Sequence, residues 1–156
     1  MAGFQLVDAL LHAYDTNDRI NHFLIRAVPA EVWSVKPPKG RDIASIVTHM
    51  HNVRLMWLKS AGKTEAMPAK LEAAGLTPDT AIGALSESCA AMSAVLSSAL
   101  ATDGRIKGFK PDAASFLAYL LAHDAHHRGQ ISMLARQLGH PISQSAMFGR
   151  WEWGVR

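Results

Sequence analysis

The chain has 156 residues, a length that suits one domain with a substantial core and is too short for two ordinary domains. Its hydrophobic fraction of 49% and charged fraction of 19% are typical of a globular protein and argue against disorder. The formal net charge is only +3 and the basic residues are scattered singly, so we expect no nucleic-acid partner. A single domain is therefore predicted over residues 1–156.

Cysteine usage and the N-terminus indicate the compartment. Cys89 is the only cysteine, which excludes an intrachain disulfide, and its small and apolar neighbours predict a buried, unreactive thiol. The N-terminus lacks the basic and apolar regions of a signal peptide. No apolar run approaches the length of about 18 residues that a membrane span needs. We therefore expect a cytoplasmic protein with no membrane partner.

The first half of the chain predicts two helices separated by a proline-rich loop. The first helix is predicted from about residue 4 to residue 27 and ends before Pro29. The loop covers residues 29–41, and the second helix is predicted over residues 42–61. The apolar stripe of the second helix consists of Ile43, Ile46, His49 or Met50, Val53, and Met56 or Trp57. A histidine therefore shares the inward face of this helix.

The second half predicts two further helices, over residues 79–101 and from residue 111 or 112 to residue 138. Thr77 or Asp79 is placed to cap the third helix, and residues 139–141 end the fourth. The stripe of the fourth helix consists of Phe116, Leu120, His123, His127, Ile131, Leu134 and Leu138. Trp151 and Trp153 in the tail are expected to pack over the helices or in an interface. With no strand pattern or repeat, the sequence predicts an all-α four-helix bundle.

Three histidines, His49, His123 and His127, fall where the helical pattern calls for core side chains. A spacing of four residues places His123 and His127 one turn apart on one helix face. A single inward histidine is ordinarily a hydrogen-bonded core residue, but three unsatisfied imidazoles would each cost about 1–3 kcal/mol. A shared divalent metal satisfies all three and leaves a position open for water. These three residues are therefore predicted to bind a metal, with imidazole suiting both Zn²⁺ and Ni²⁺.

Other polar residues receive lesser roles. Helical geometry points His51 and His126 away from the candidate ligands, and we expect them to be solvated or to lie behind the ligands. Arg128 and Gln130 are expected to hold helices or a subunit contact together, whereas Asp124 either orients a ligand imidazole or lies on a solvated face. The side chains expected to shape the mouth of the site are Tyr14, Asn17, Asn21, His22, Asn52 and Trp57.

The segment from His123 to His127 also has the spacing of the metalloprotease motif His-Glu-x-x-His, in which the glutamate is the general base. Here the acid is Asp124, which is one methylene shorter. The third candidate ligand, His49, lies far upstream on another helix instead of just downstream. A protease is therefore disfavoured.

Over essentially its whole length, the chain resembles the DinB/YfiT-like family of metalloenzymes, the DinB-like four-helix bundles. The resemblance is sharpest over residues 42–57 and 123–131, where Arg128-Gly129-Gln130 follows the last histidine, and residues 31–41 look like the family's linker. It implies an up-down-down-up bundle with a long crossover, and commonly a homodimer. It also implies a Ni²⁺ or Zn²⁺ ion held by His49, His123 and His127.

Relatives within that family include thiol-dependent transferases and isomerases, in which the metal activates the thiol of bacillithiol, mycothiol or glutathione. The resemblance thus implies a metal-dependent enzyme with a small-molecule substrate and a low-molecular-weight thiol as a second cofactor. Two alternatives remain open, a metal-dependent hydrolase and a non-catalytic, stress-linked metal-binding bundle. A fourth protein ligand from His22, His51 or His126 would favour the non-catalytic bundle.

Overall fold

The computed structural model describes residues 3–156 and contains four long helices and one short one. The helices are α1 (Leu6–Ala27), α2 (Ile43–Ser60), α3 (Pro78–Leu100), α4 (Ala113–Gln137) and α5 (Gln144–Gly149). Two 3₁₀ turns lie at Ala30–Val32 and Trp153–Val155. Between residues 3 and 156 the only β-type pairing is an isolated bridge from Ile106 to Phe109. The predicted all-α class and its four long helices are confirmed, whereas α5 is an addition.

Capping side chains determine where three of the long helices begin. Asp42 caps α2 and Asp112 caps α4, each accepting a hydrogen bond of 2.7 Å from the backbone N–H three residues later. Thr77 forms a capping box with Thr80 at the start of α3, so Thr77 and not Asp79 is the cap. These contacts satisfy backbone donors that would otherwise lack partners in the first helical turn.

The direction of each helix follows from two hydrophobic clusters at opposite ends of the molecule. One cluster joins the C-terminal parts of α1 and α4 to the N-terminal parts of α2 and α3, and includes Leu24, Ile43, Leu85 and Ile131. The other joins the opposite ends of the same helices and includes Tyr14, Leu58, Leu96 and Phe116. Helices α1 and α4 therefore run one way and α2 and α3 the other, which is the up-down-down-up order implied by the resemblance.

Residues 61–77 form the long crossover between α2 and α3, and α2 holds it in place. Asn52 donates to the Leu71 carbonyl and accepts from the Leu71 N–H, both at 3.0 Å. His51 is fully buried, with Nε2 2.9 Å from the Ala69 carbonyl and Nδ1 3.2 Å from the Ser88 hydroxyl. The expectation that Asn52 lines the mouth of the site is wrong, and His51 is a buried structural residue.

Among the described helices, α3 is the one whose length and composition would also allow it to cross a membrane. Its inward residues pack in both hydrophobic clusters, for example Ala81 and Leu85 in one and Met92 and Leu96 in the other. A core helix of a bundle has this composition because it contacts other helices along its whole length. Its apolar character is therefore explained by its position between α1 and α2.

Cys89 lies in the core on α3 and is 3% exposed, as expected. Burial, together with the charge of Asp18, raises the pKa of its thiol to about 12. Because only the thiolate is nucleophilic, we expect iodoacetamide to leave the folded chain unlabelled at about pH 8 and to label it rapidly in urea. Intact-mass spectrometry measures the labelled fraction, and rapid labelling of the folded chain would contradict the buried, protonated thiol.

Candidate metal centre

The three candidate ligands meet between α2 and α4. One ring nitrogen from each of His49, His123 and His127 lies within 4.8 Å of the other two. The ring centroid of His49 lies 5.5 Å from that of His123 and 4.8 Å from that of His127. In the part of the chain that the structure describes, no other histidine, cysteine or carboxylate belongs to this group. The structure thus brings together the residues selected from the sequence.

The spacing of the two nitrogens on α4 fits a shared ion. Nε2 of His123 and Nε2 of His127 are 3.1 Å apart. Two nitrogens bound to one zinc at about 2.0–2.1 Å in tetrahedral geometry would be separated by about 3.3 Å. The ring of His49 completes the group from α2, with its centroid 4.8 Å from that of His127. Three imidazoles are also a donor set that Zn²⁺ and Ni²⁺ accept, so the residues present fit such an ion.

Gln130 determines which nitrogen of His127 carries the proton. The amide oxygen Oε1 of Gln130 lies 2.8 Å from Nδ1 of His127. Because this oxygen only accepts, the contact assigns the hydrogen to Nδ1 and leaves the lone pair of Nε2 directed toward His123. A ligating histidine needs this tautomer. We expected Gln130 to hold helices or a subunit contact together, and its spacing of three residues from His127 was the signal of this hydrogen bond.

The electrostatic environment keeps two of the imidazoles uncharged. Burial, opposed by the hydrogen bond to Gln130 and reinforced by the neighbouring His123 and His49, lowers the pKa of His127 to about 4. Burial also lowers the pKa of His49, with a contribution from the positive charge of Arg41. Since metals bind the neutral imidazole, these rings do not have to lose a proton at neutral pH before binding an ion.

A buried polar network behind the histidines joins the four long helices. Arg54 on α2 is 1% exposed and is its centre. The guanidinium lies 2.8 Å from a carboxylate oxygen of Asp18 on α1 and donates a hydrogen bond of 2.9 Å to Asp124 on α4. It also donates to the Leu85 carbonyl on α3 at 3.0 Å. Sequence reasoning overlooked Arg54, although it lies four residues from both Met50 and Leu58 of the buried face.

The α1 side of this network contains residues that we expected at the mouth of the site. The side-chain amides of Asn17 and Asn21 donate hydrogen bonds of 2.7 and 2.8 Å to Asp124. The side-chain oxygens of the same two residues accept hydrogen bonds of 2.7 and 2.6 Å from Arg128. Both asparagines and Tyr14 are at most 1% exposed. They therefore belong to the core, and the prediction that they shape the mouth is wrong. Arg128 ties α4 to α1, as predicted.

Asp124 is an ionised structural carboxylate. Although burial raises the pKa of Asp124, the charge of Arg54, the neighbouring ring of His123 and the hydrogen bond from Asn21 outweigh it, so the pKa lies below its ordinary value. Its Oδ1 lies 3.7 Å from Nδ1 of His123, on the side of the ring away from Nε2. Of the two roles left open by the sequence, the structure thus selects the buried one behind His123. A carboxylate held by Arg54 is not free to act as a protease's general base.

The remaining candidates lie outside the cluster. Trp57 is half-buried, packs edge-on against Phe116 with ring centroids 5.3 Å apart, and does not line the cavity beside the histidines. His22 lies beside Asp18, with its Nε2 3.0 Å from a carboxylate oxygen, and is not part of the ligand group. His126 is exposed, with its ring centroid 5.0 Å from that of His127. Only His126 of these three reaches the rim of the site.

A cavity of about 540 Å³ opens beside His49 and His127. Its other walls come from the loop before α2, from the start of α2 and from α4, and consist of Pro37, Lys39, Gly40, Arg41, Ile46, His126, Gln130, Met133, Leu134 and Gln137. Sites for small molecules commonly have volumes of about 300–1,000 Å³. The histidine cluster is therefore accessible from a cavity that could hold a small molecule.

Comparison with models of known protein families identifies the family of the chain. A model described as the DinB family matches residues 4–150. The chain belongs to the DinB family. This DinB match extends from α1 through α5 and includes all three clustered histidines. No curated protein matches the chain, so that comparison assigns no reaction to it.

Proposed function

We propose that this DinB protein is a metal-dependent enzyme in which His49, His123 and His127 hold one divalent transition metal, Zn²⁺ or Ni²⁺. The observation that carries the proposal is the convergence of three imidazoles from two helices beside an open cavity. Three protein ligands leave room for an exogenous ligand, as in catalytic sites, whereas structural zinc sites are closed by four. His51 is hydrogen-bonded elsewhere and His22 lies outside the ligand group, which disfavours a closed site.

A thiol-dependent transfer or isomerisation is the reaction that we propose, with a low-molecular-weight thiol and a small-molecule substrate. A bound divalent ion supplies Lewis acidity, which lowers the pKa of a thiol or of water. The protein's own residues orient the site, because Gln130 holds the ring of His127 and Asp124 lies behind that of His123. Cys89 is buried with a pKa of about 12 and is absent from the cavity wall, so the thiol would come from a cofactor.

Metal analysis of tag-free protein tests this proposal first. We expect about one divalent transition metal per chain by inductively coupled plasma mass spectrometry. Protein that stays metal-free after supplementation with both Zn²⁺ and Ni²⁺ would refute the metal site.

A turnover assay then tests the reaction type. Metal-loaded protein is offered glutathione, bacillithiol or mycothiol with a generic electrophile. Turnover that requires the thiol supports the transferase. Turnover of an activated ester without any thiol would identify a hydrolase, and a metal-loaded protein inactive in both assays would favour the non-catalytic bundle.

A cytoplasmic homodimer without nucleic-acid or membrane partners completes the proposal. The supporting feature is the C-terminal tail, where Phe148 is 65%, Trp151 77% and Trp153 41% exposed. The two tryptophans were expected to pack over the bundle or in an interface; their exposure favours the interface, and both line a groove of about 500 Å³ along α4. Light scattering coupled to gel filtration should give twice the mass of one chain, and Trp151→Ser should shift it toward the monomer.

Gln130→Leu is expected to weaken Zn²⁺ binding by about tenfold to a hundredfold while the protein stays folded. The substitution removes the acceptor that assigns the proton of His127 to Nδ1, so Nε2 is no longer held as the free ligand atom. Competition with a chromogenic chelator measures the affinity. Gln137→Leu is the matched control because Gln137 lines the same cavity without contacting a ligand. Equal affinities of the two variants would contradict the role of Gln130.

A further inference from the structure

The loop before α2 places two cations on the rim of the cavity beside the histidines. Lys39 and Arg41 are both exposed and both line this cavity. Gly40 between them has a φ of +94°, a left-handed conformation that glycine adopts without strain and that shapes the turn. From residue 3 to residue 156, no carboxylate forms an ion pair with either of them. Their charges are therefore free to act on a ligand.

No acidic residue of the described chain lines this cavity. The nearest acid in sequence, Asp42, has a side chain only 6% exposed, accepts the capping hydrogen bond of α2 at 2.7 Å and lies 3.7 Å from Lys36. Asp42 is thus committed elsewhere and does not neutralise Arg41. Arg41 lines the same cavity as His49 and His127, so its charge faces the candidate site. The cavity consequently has a positive rim.

An apolar surface forms another part of the same cavity. Ile46 and Leu134 are buried, and Met133 is 56% exposed although it is a large apolar side chain. An exposed methionine in a cavity wall offers an adaptable surface for an apolar group. A neutral apolar molecule would leave the two cations unused, and a purely hydrophilic anion would leave Met133 in water.

We propose that this cavity takes a small organic anion with an apolar portion, whose carboxylate is bound by Arg41 with assistance from Lys39. The planar guanidinium matches the two oxygens of a carboxylate. The apolar portion lies on Met133, and the remainder of the molecule faces His49 and His127. The inference rests on the proposed function for the reacting end only, because binding of the anion by Arg41 and Lys39 does not require a metal.

Calorimetric titration with two probes of nearly equal shape, 4-phenylbutyrate and 4-phenylbutanamide, tests the inference. Wild-type protein is used as purified, and the metal content of each sample is measured. We expect the carboxylate to bind about fivefold to tenfold more tightly than the amide, with a preference that falls as salt is raised. Arg41→Gln should remove most of this preference and Lys39→Gln part of it. Arg26→Gln is the matched control, since Arg26 is exposed on α1 and does not line the cavity.

The outcomes separate this inference from the metal proposal. A preference for the carboxylate that disappears in Arg41→Gln and survives in Arg26→Gln supports the anion site, even in samples that contain no metal. Equal binding of the two probes, or a preference that Arg41→Gln leaves unchanged, overturns it, even in samples with a full complement of metal. Equal loss in both arginine variants would also overturn it, because it would indicate a general effect of charge.

Discussion

Substitution of His127 by alanine is expected to abolish binding of a divalent metal. His127 is 6% exposed, its Nε2 lies 3.1 Å from that of His123, and Gln130 holds its ring in the ligating tautomer. Without it, only His123 and His49 remain, on different helices, and two imidazoles hold a divalent ion far more weakly than three. Metal content measured by mass spectrometry should fall from about one ion per chain to near zero. His49→Ala and His123→Ala should have the same effect.

His126→Ala is the matched control for this series. It removes the adjacent imidazole, which is exposed and is not part of the cluster, so metal content should stay at the wild-type level. Thermal unfolding gives a second readout, because an ion that binds only the native state raises its stability by about 2.7 kcal/mol at a hundredfold excess over Kd. That increment should vanish in His127→Ala. Retention of the metal in His127→Ala, or its loss in His126→Ala, would show that the ligand set is different.

The helices were predictable because local chemistry determines their ends. Pro29 stops α1, Thr77 and Asp112 cap α3 and α4, and the apolar stripes repeat over several turns, so the predicted bounds lie within a few residues of the observed ones. Helix α5 has only six residues. So short a helix shows no periodicity, and its stability comes from packing that sequence patterns do not reveal.

The histidine cluster was predictable as a set of inward positions, but its surroundings were not. Periodicity tells which face a residue occupies, without telling its partners on other helices. Asn17 and Asn21 were expected to shape the mouth of the site, but they belong to a buried hydrogen-bond network instead. Arg41 lines the cavity from the loop before α2, and a loop has no hydrophobic periodicity from which its contacts could be predicted. Such contacts depend on how the crossover and the loop pack, and identifying them requires the tertiary structure.

Arg54→Leu is expected to destabilise the protein by about 3–5 kcal/mol, a large share of the roughly 5–15 kcal/mol of a whole domain. The variant leaves the carboxylates of Asp18 and Asp124, which are 3% and 2% exposed, without their shared cation. Removing one partner of a buried ion pair costs more than the pair contributes, because the other charge stays desolvated. Urea unfolding measures the loss, and Arg26→Leu on the surface should change stability by less than about 0.5 kcal/mol.

A compensating variant decides whether the uncovered charges are the cause. If they are, Arg54→Leu combined with Asp18→Asn and Asp124→Asn should recover a substantial part of the lost stability, since no unpaired charge is then buried. Arg54→Lys should retain less stability than the triple variant recovers, because an ammonium group lacks the planar guanidinium geometry that reaches both carboxylates. If the triple variant is as unstable as Arg54→Leu, the loss arises from the cavity left by the side chain instead. The comparison therefore shows whether Arg54, which joins the helices behind the histidines, stabilises the protein through its charge or through the volume of its side chain.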